Sequence, residues 1–429
     1  MKNWAKKILA NIFISQARKI LLKYDVKVIV VAGSVGKTNT NSAITEILSS
    51  KYRVQHQRGN VYNIPLVAPF VITGQQLPKL TSLFGWYKCW RVGQNILKKG
   101  YDYDVVVLEY GIDRVGEMLE FAPLCSPDIA VVTAVAPEHM EFFGDIETVA
   151  REELSISKYA KNILINQDSV DKKYVNKYAE PDATIKYIGI GKGDYCINAD
   201  RDKTGKYIME LTDNQGKTLC QSATNMIGIH NIYALAFASI IGHKMGLHRS
   251  EIERMIAQYT NFRGRMRVFD GKNGSTVIDD TYNSSPVAAI AGLKTLYDIS
   301  ATNKIALLGN MNELGEYSKK AHEEVGQYCD PKKLDLVITL GADANKYTAG
   351  QAEQNGCRVY RAKSPVEAGE YILKNLNQKT VVLAKGSQNG VYAEEAVKLM
   401  LRYPKDTQDL VRQSPTWLAK KQKQFPEIS

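Results

Sequence analysis

Short, mostly β-branched runs recur along this chain at residues 26–32 (VKVIVVA), 105–111 (VVVLEYG), 129–135 (IAVVTAV), 162–166 (NILIN), 275–280 (STVIDD), 304–310 (KIALLGN), 336–341 (LVITLG) and 380–386 (TVVLAKG). Runs this short, apolar without alternation, suit strands buried on both faces. Helical periodicity separates most of them, which predicts parallel sheets with crossover helices and an α/β fold. Residues 191–221 differ, because Gly191, Gly193, Gly205 and Gly216 separate alternating segments such as KYIMELT. That pattern predicts a small antiparallel excursion.

A second series of strand and helix units begins after residue 262. The expected layout is a basic amphipathic helix over 1–25, a central domain over 26–262 with a mostly parallel sheet, a C-terminal Rossmann-like α/β domain over 263–403, and a polar, loosely packed tail over 404–429. In the first helix the stripe Leu9, Phe13, Ala17, Ile20 and Tyr24 follows 3- and 4-residue spacing, while Ile14 and Leu22 lie off it. Such a helix either packs on its own domain or rests on a membrane surface.

Composition narrows this little: 429 residues, 44% hydrophobic and 24% charged, suit two or three ordinary domains. No run of 18 apolar residues and no signal-peptide pattern occurs, so a cytoplasmic protein is expected. The six cysteines are scattered, which predicts reduced packing residues.

Charge adds more. The net +11 is concentrated in residues 1–30, with seven Lys/Arg against Asp25, and in residues 79–99, with five Lys/Arg and no acid. Both stretches also carry bulky apolar residues (Trp4, Ile8, Leu9, Ile12, Phe13; Leu83, Phe84, Trp86, Trp90). That mixture suits an anionic membrane surface better than nucleic acid, and peripheral contact through 4–24 and 79–99 is one expectation. A monomer is expected.

Between the run 26–32 and a helical stretch from about Asn39 lies Gly33-Ser34-Val35-Gly36-Lys37-Thr38-Asn39. A loop between a buried strand and a helix N-terminus offers unpaired N–H groups and the positive end of a helix dipole to phosphate. Gly33 and Gly36 permit the tight path, Lys37 can neutralise phosphates and Thr38 can ligate Mg²⁺. The longer G-x-x-x-x-G-K-[ST] form would need glycine where Val31 stands.

The short G-x-x-G-K-T loop resembles that of the Mur ligases, ATP-dependent amide-forming enzymes of cell-wall precursor synthesis. Further stretches resemble the same family in the same order: LEYGIDRVGEM (108–118), SPDIAVVTAVAPEHMEFFGDIETVA (126–150), GIHNIYALA (228–236), RGRM (263–266), VIDDTYNSSP (277–286), LLGNMNELGEYSKKAHEEVG (307–326) and AKGS (384–387). They are most similar to the member that adds D-alanyl-D-alanine to a UDP-muramoyl-tripeptide. The resemblance spans roughly residues 26–400 and implies ATP and Mg²⁺ as cofactors, a muramoyl-peptide acceptor and D-alanyl-D-alanine as second substrate. A ligase for another amino acid, acting on a lipid-linked, folate or polymer acceptor, stays open, as does a P-loop binding protein without catalysis.

The resemblance assigns residues 33–39 to ATP, implies catalytic roles for Lys37, Glu109, His139 and Glu153, and makes Thr38, Glu109, His139 and Glu153 metal ligands. The position fourteen residues after that histidine, often a carbamylated lysine in the family, is Glu153 here, which supplies a carboxylate directly or is a solvated residue of REELSIS. Asn231 corresponds to an adenine contact, Arg265 and Asp280 to phosphate and ribose contacts. Tyr282 and Asn283 are expected to flank the nucleotide, and Lys385 to read the amino substrate's carboxylate. Residues from both halves are expected to complete one site on domain closure.

Besides Glu153, three positions depart from the family pattern: Ala234 and Gln388 replace an asparagine and an arginine, and Tyr62 replaces an asparagine in GNVYNIPL (59–66), whose Asn60 and Asn63 are candidate substrate contacts. Only about 25 residues precede the first strand, so the usual N-terminal UDP-holding domain is not expected.

Overall fold

The computed structural model describes residues 3–57, 66–79, 81–137, 139–201 and 207–428, the side chains of residues 3–7 excepted. The chain forms two compact units. The first comprises Met1–Ala136, Phe142–Asn225 and Asn231–Tyr259, and the second Pro137–Glu141, Met226–His230 and Thr260–Ser429.

The first unit is built on β1 (Lys27–Ala32), β2 (Val54–His56), β3 (Val105–Glu109), β4 (Ile129–Val132), β5 (Asn162–Asn166), β6 (Thr184–Ile190), β7 (Lys192–Gly193), β8 (Tyr195–Arg201), β9 (Tyr207–Asp213) and β10 (Thr218–Thr224). Nine of these form one sheet in the order β10-β9-β8-β6-β5-β4-β1-β3-β2. Pairing is parallel from β2 through β8 and antiparallel from β8 to β10. The antiparallel excursion thus extends the parallel sheet at one edge. Central β1 has Val28, Ile29, Val30, Val31 and Ala32 all buried, as its unbroken apolar run requires.

The N-terminal helix Asn3–Lys23 buries Phe13, Ile14, Ala17, Ile20 and Leu21, a wider face than the predicted stripe because Ile14 joins it. It packs beside helix Leu83–Lys99, whose N-cap Ser82 accepts a hydrogen bond from the Gly85 amide. The Phe13 ring lies 5.6 Å from Trp86, the Gln16 amide donates to the Trp90 carbonyl (3.0 Å) and the Tyr24 hydroxyl to the Ile96 carbonyl (2.8 Å). These contacts advance together along both helices, so the helices run parallel. Their outer sides expose Ile8, Ile12 and Leu22 on one, and Leu83, Phe84, Tyr87 and Trp90 on the other.

The second unit holds β11 (Arg267–Asp270), β12 (Thr276–Asp280), β13 (Asn303–Gly309), β14 (Leu336–Leu340), β15 (Val359–Ala362) and β16 (Thr380–Lys385) in the order β11-β12-β16-β13-β14-β15. All neighbours are parallel except β11 and β12. Alternate strand residues feed two apolar layers. Val277, Ile305, Leu307, Ile338 and Val382 meet helices Pro365–Asn375 and Glu394–Met400, while Ile278, Ala306, Leu308, Val337 and Leu383 meet helices Pro286–Asp298 and Ser318–Gln327.

The tail corrects its sequence reading. It forms a 3₁₀ turn at Pro404–Asp409 and helix Pro415–Gln424, and it buries Leu410, Val411, Arg412 and Lys421. Lys421 is fully buried because its ammonium lies 2.9 Å from Glu394 and 2.5 Å from Glu395. A polar composition therefore hides an internal ion-pair network, the condition on which charged groups are buried. Among the described residues no helix is long and apolar enough to cross a membrane. The six cysteines are all free thiols.

Candidate nucleotide and ligation site

In the first unit, β1 ends at Ala32 and helix Lys37–Ser49 begins after Gly36, so residues 33–36 form the turn between buried strand and helix N-terminus. The turn is stitched to the chain beyond β4. The Ser34 amide donates to the Ala134 carbonyl (2.9 Å), and the Ser34 hydroxyl accepts from the Ala136 amide (3.1 Å). Val35 is half-buried between Ser34 and Gly36. Gly33 has φ 117°, and a Cβ there would stand 2.4 Å from the Thr133 hydroxyl, so this position needs glycine twice over. Val31 lies inside the fully buried strand, which leaves glycine no role there.

The Lys37 ammonium folds back on its own loop and donates to the Gly33 carbonyl (2.5 Å). The Thr38 hydroxyl donates to Glu109 Oε1 at 3.2 Å. Glu109 is the last residue of β3, paired in register with Val31 of β1, so adjacent parallel strands deliver the loop and the carboxylate to the same sheet edge. Two hard oxygen donors beside a phosphate-type loop fit a Mg²⁺ ion.

Glu153, 1% exposed on helix Ile146–Leu154, accepts the Gly33 amide at 2.8 Å. Its neighbour Glu152 accepts the amides of Gly116 (2.9 Å) and Met118 (2.8 Å). One helix thus pins the phosphate loop and the loop after Glu109 through consecutive carboxylates. The reading of Glu153 as a solvated residue is therefore excluded by its burial. Glu152 was not legible in the sequence, where REEL reads as a charged helical surface.

Asn39 and Asn231 are buried together, the Asn39 amide donating to Asn231 Oδ1 at 2.9 Å. Asn39 Oδ1 has no protein partner, and neither has the Asn41 amide nitrogen.

The second unit carries the remaining candidates. His139, with φ 48°, places its Nδ1 3.2 Å from Glu313 Oε2. The sequence pointed to NELGEYS as a motif but did not single out Glu313. Among the described residues no three His, Cys, Asp or Glu side chains form a group able to hold a metal. Thr38 and Glu109 offer oxygen donors of the kind a cation takes, and in the same structure Glu313 engages His139 and the Gly33 amide engages Glu153.

Asp280 ends β12 opposite Lys385, which ends β16. The Lys385 ammonium, 2% exposed, lies 2.8 Å from Asp280 Oδ2 and donates to the Asn283 carbonyl at 2.6 Å. Burial pushes its pKa down against the opposing pull of Asp280. Lys385, expected to read the amino substrate's carboxylate, thus has Asp280 and Asn283 as partners inside the chain. The Ser387 hydroxyl donates to the Asn283 side-chain oxygen at 3.0 Å, and the Arg265 guanidinium stacks 4.1 Å over the Tyr282 ring. Arg265 Nε, Asp279 Oδ2 and the Ser284 hydroxyl are buried without protein partners, a concentration of unmet polar capacity around one loop. His230 lies half-buried beside this group, and desolvation pushes its imidazole down to about 4, so it is neutral. Asn60 and Asn63 lie outside the described residues.

A phosphate-type loop on a parallel sheet, joined to a second α/β unit with its own polar strand edge, defines a nucleotide-binding α/β protein of two units. A model of the Mur ligase middle domain matches residues 31–242, and one of the Mur ligase glutamate ligase domain matches residues 264–388. The chain belongs to the Mur ligase family.

The UDP-N-acetylmuramoyl-tripeptide–D-alanyl-D-alanine ligase of Bacillus subtilis is 24% identical over 410 residues, covering 90% of this chain and 79% of that relative. Its Escherichia coli namesake is 22% identical, covering 87% and 76%. Among solved structures, MurF from Acinetobacter baumannii superposes with a TM-score of 0.74 at 20% identity, covering 91% of this chain and 79% of that one. MurF ligase from Thermotoga maritima, solved with ADP, gives 0.72 at 24% identity, covering 93% and 84%. These likenesses establish the fold.

Proposed function

We propose that this protein is an ATP-dependent ligase that activates the terminal carboxylate of a muramoyl peptide and joins it to D-alanyl-D-alanine. The carboxylate oxygen attacks the γ-phosphorus of ATP and ADP leaves. The amine of the dipeptide then attacks the acyl carbon, phosphate departs with the bonding electrons, and the nitrogen loses its proton to solvent or a nearby base. Both reactants of the first step are anions, so the site must supply positive charge. Lys37 and the helix N-terminus at residues 37–39 supply it, and a Mg²⁺ ion held by Thr38 and Glu109 would neutralise the phosphates. Arg265 and Asp280 serve phosphate and ribose, Asn231 the adenine, and Tyr282 and Asn283 flank the nucleotide.

The observation that carries this reading is the Thr38–Glu109 pair beside the Lys37 loop, in a chain aligned over most of its length with ligases of that name. For Glu153 the bond to Gly33 supports an anchor of the phosphate loop whose carboxylate is present without CO₂. Near-normal turnover of Glu153→Ala at saturating Mg²⁺ would remove it from the site.

The test is phosphate release and product mass with ATP, Mg²⁺, a panel of UDP-linked and lipid-linked muramoyl peptides, and D-alanyl-D-alanine or single amino acids. Amide product with the dipeptide is expected. Product only with another amino acid or acceptor reassigns the substrate, and phosphate release without amide overturns the ligase.

We also propose that this cytoplasmic enzyme touches an anionic membrane through helix Leu83–Lys99 and its neighbour Asn3–Lys23. Support comes from the exposure of Leu83 (85%) and Phe84 (77%) beside Lys88 and Arg91, in a stretch without acids. Co-sedimentation with vesicles that ignores anionic lipid content would count against it.

A further inference from the structure

The segment 409–424, beyond the last residue matched by the family models, runs across the loops that carry Arg265 and residues 280–283. Asp409 pairs with Arg267 at 2.8 Å and Arg263 at 3.6 Å, on either side of Arg265. Leu410 and Val411 are buried, and Arg412 follows with φ 56° and 9% exposure. The Arg412 guanidinium spends its donors in two directions. Nε and Nη2 meet the two oxygens of Glu394 at 2.9 and 3.0 Å, while Nη2 also donates to the Thr281 carbonyl (2.6 Å) and Nη1 to the Tyr282 carbonyl (3.1 Å).

Farther along, Gln413 donates to Glu395 (3.0 Å), Lys421 sits between Glu394 and Glu395, and Gln424 donates to the Gly390 carbonyl (2.8 Å). The loop held this way is fastened on its other side by Lys385 and Ser387. Its Tyr282 amide donates to the Gly264 carbonyl at 3.0 Å, which ties it to the turn that presents Arg265.

We propose that Arg412 is a positioning residue for nucleotide binding, and that segment 409–424 is a strap that fixes the backbone of residues 280–283 and, through it, Arg265. The proposal rests on the ligase reading insofar as that loop meets a nucleoside triphosphate. Chemistry distinguishes it from a packing role. Two cations, Arg412 and Lys421, already face Glu394, so the ion pair alone would accept any cation at position 412. Two backbone carbonyls and a carboxylate held at once require the planar five-donor fork of arginine, which the ammonium of lysine does not reproduce.

Arg412→Lys in the full-length chain therefore keeps the charge and removes the fork. Its melting temperature is expected to stay near that of the parent. Hydrogen exchange at the amides of residues 264–266 and 281–284 should rise about tenfold, the scale of one lost charge-assisted bond. The Kd for ADP and the KM for ATP should rise by a similar factor, while the KM for the acceptor stays put. Unchanged local exchange and unchanged ADP affinity in Arg412→Lys overturn the strap, and so does a rise in exchange spread evenly over the second unit. Asp409→Asn, which leaves the Arg412 fork intact, is expected to loosen 264–266 more than 281–284; the reverse order also overturns it. A parent chain that binds no nucleotide sinks the ligase reading instead, and the exchange pattern still decides the strap.

Discussion

Single residues show how burial sets chemistry in this protein. In the second unit, burial pushes the Asp279 carboxyl from 3.8 up to about 6, a rise that Glu394 and Asp280 reinforce and the Thr281 hydrogen bonds oppose. Burial also pushes the His230 imidazole from 6.5 down to about 4, against the pull of Asp280. A carboxyl whose pKa is raised binds its proton more tightly folded than unfolded, so its contribution to stability is present at low pH and lost as pH climbs from 3.8 to about 6. An imidazole whose pKa is lowered contributes above 6.5 and loses that contribution as pH falls to about 4. The two slopes oppose one another across nearly the same window. Asp279→Asn removes one of them, because the amide carries no charge to desolvate. The variant should be more stable than the parent at pH 7, by on the order of 2 kcal/mol. Its melting temperature should also fall more steeply between pH 6.5 and 4, and parallel profiles for the two proteins would contradict this. Gly33→Ala is the complementary case: at φ 117°, with Thr133 in the way, it should cost at least about 1–3 kcal/mol in urea denaturation and weaken ADP binding. That Thr38 and Glu109 share one sheet edge was legible, because each sits where a strand or glycine turn ends. Glu313 and Arg412 were not, since their partners lie 174 and 131 residues away in sequence and only the fold brings them together.

Among elements, the eight strands signalled by unbroken apolar runs all form, because a strand buried on both faces has no polar alternation to obscure it. The three-residue β2 at the sheet edge is too short to leave a pattern, and β11 is half-exposed. Helix Pro415–Gln424 failed for a different reason. Its inward residue is Lys421, and hydrophobic periodicity does not register a face buried through charge pairing. That pairing predicts an asymmetric mutant series. Lys421→Met breaks the shortest of the buried ion pairs of Glu395, leaving it Gln413 and, at 3.7 Å, the half-buried Lys398, and should cost about 3 kcal/mol. Lys421→Met combined with Glu395→Gln should recover part of that loss. Additive losses in the double variant, measured by urea denaturation, would show that the pair is not coupled.

For the whole molecule, the question is where its net charge of +11 acts. Spread evenly, such a charge would give weak attraction to any polyanion, lost as salt shortens the Debye length from about 10 Å at 0.1 M to about 3 Å at 1 M. It is not spread evenly, because residues 1–24 and 79–101 contain no acid, and of the two parallel helices drawn from them one exposes Ile8, Ile12 and Leu22 and the other Leu83, Phe84, Tyr87 and Trp90. An interfacial helix holds a bilayer by two contributions that salt separates: Coulombic attraction, which is screened, and burial of apolar side chains, which is not. Binding to vesicles of anionic lipid should therefore fall with added salt to a plateau above zero. Phe84→Ser with Trp90→Ser should abolish the plateau while leaving the low-salt attraction, and Lys88→Gln with Arg91→Gln should lower the attraction while leaving the plateau. Neither pair touches the phosphate loop, so phosphate release with a soluble acceptor should be unchanged in both. Equal loss of both components in either double variant, at unchanged melting temperature, would mean that this face does not lie on the membrane as an interfacial helix.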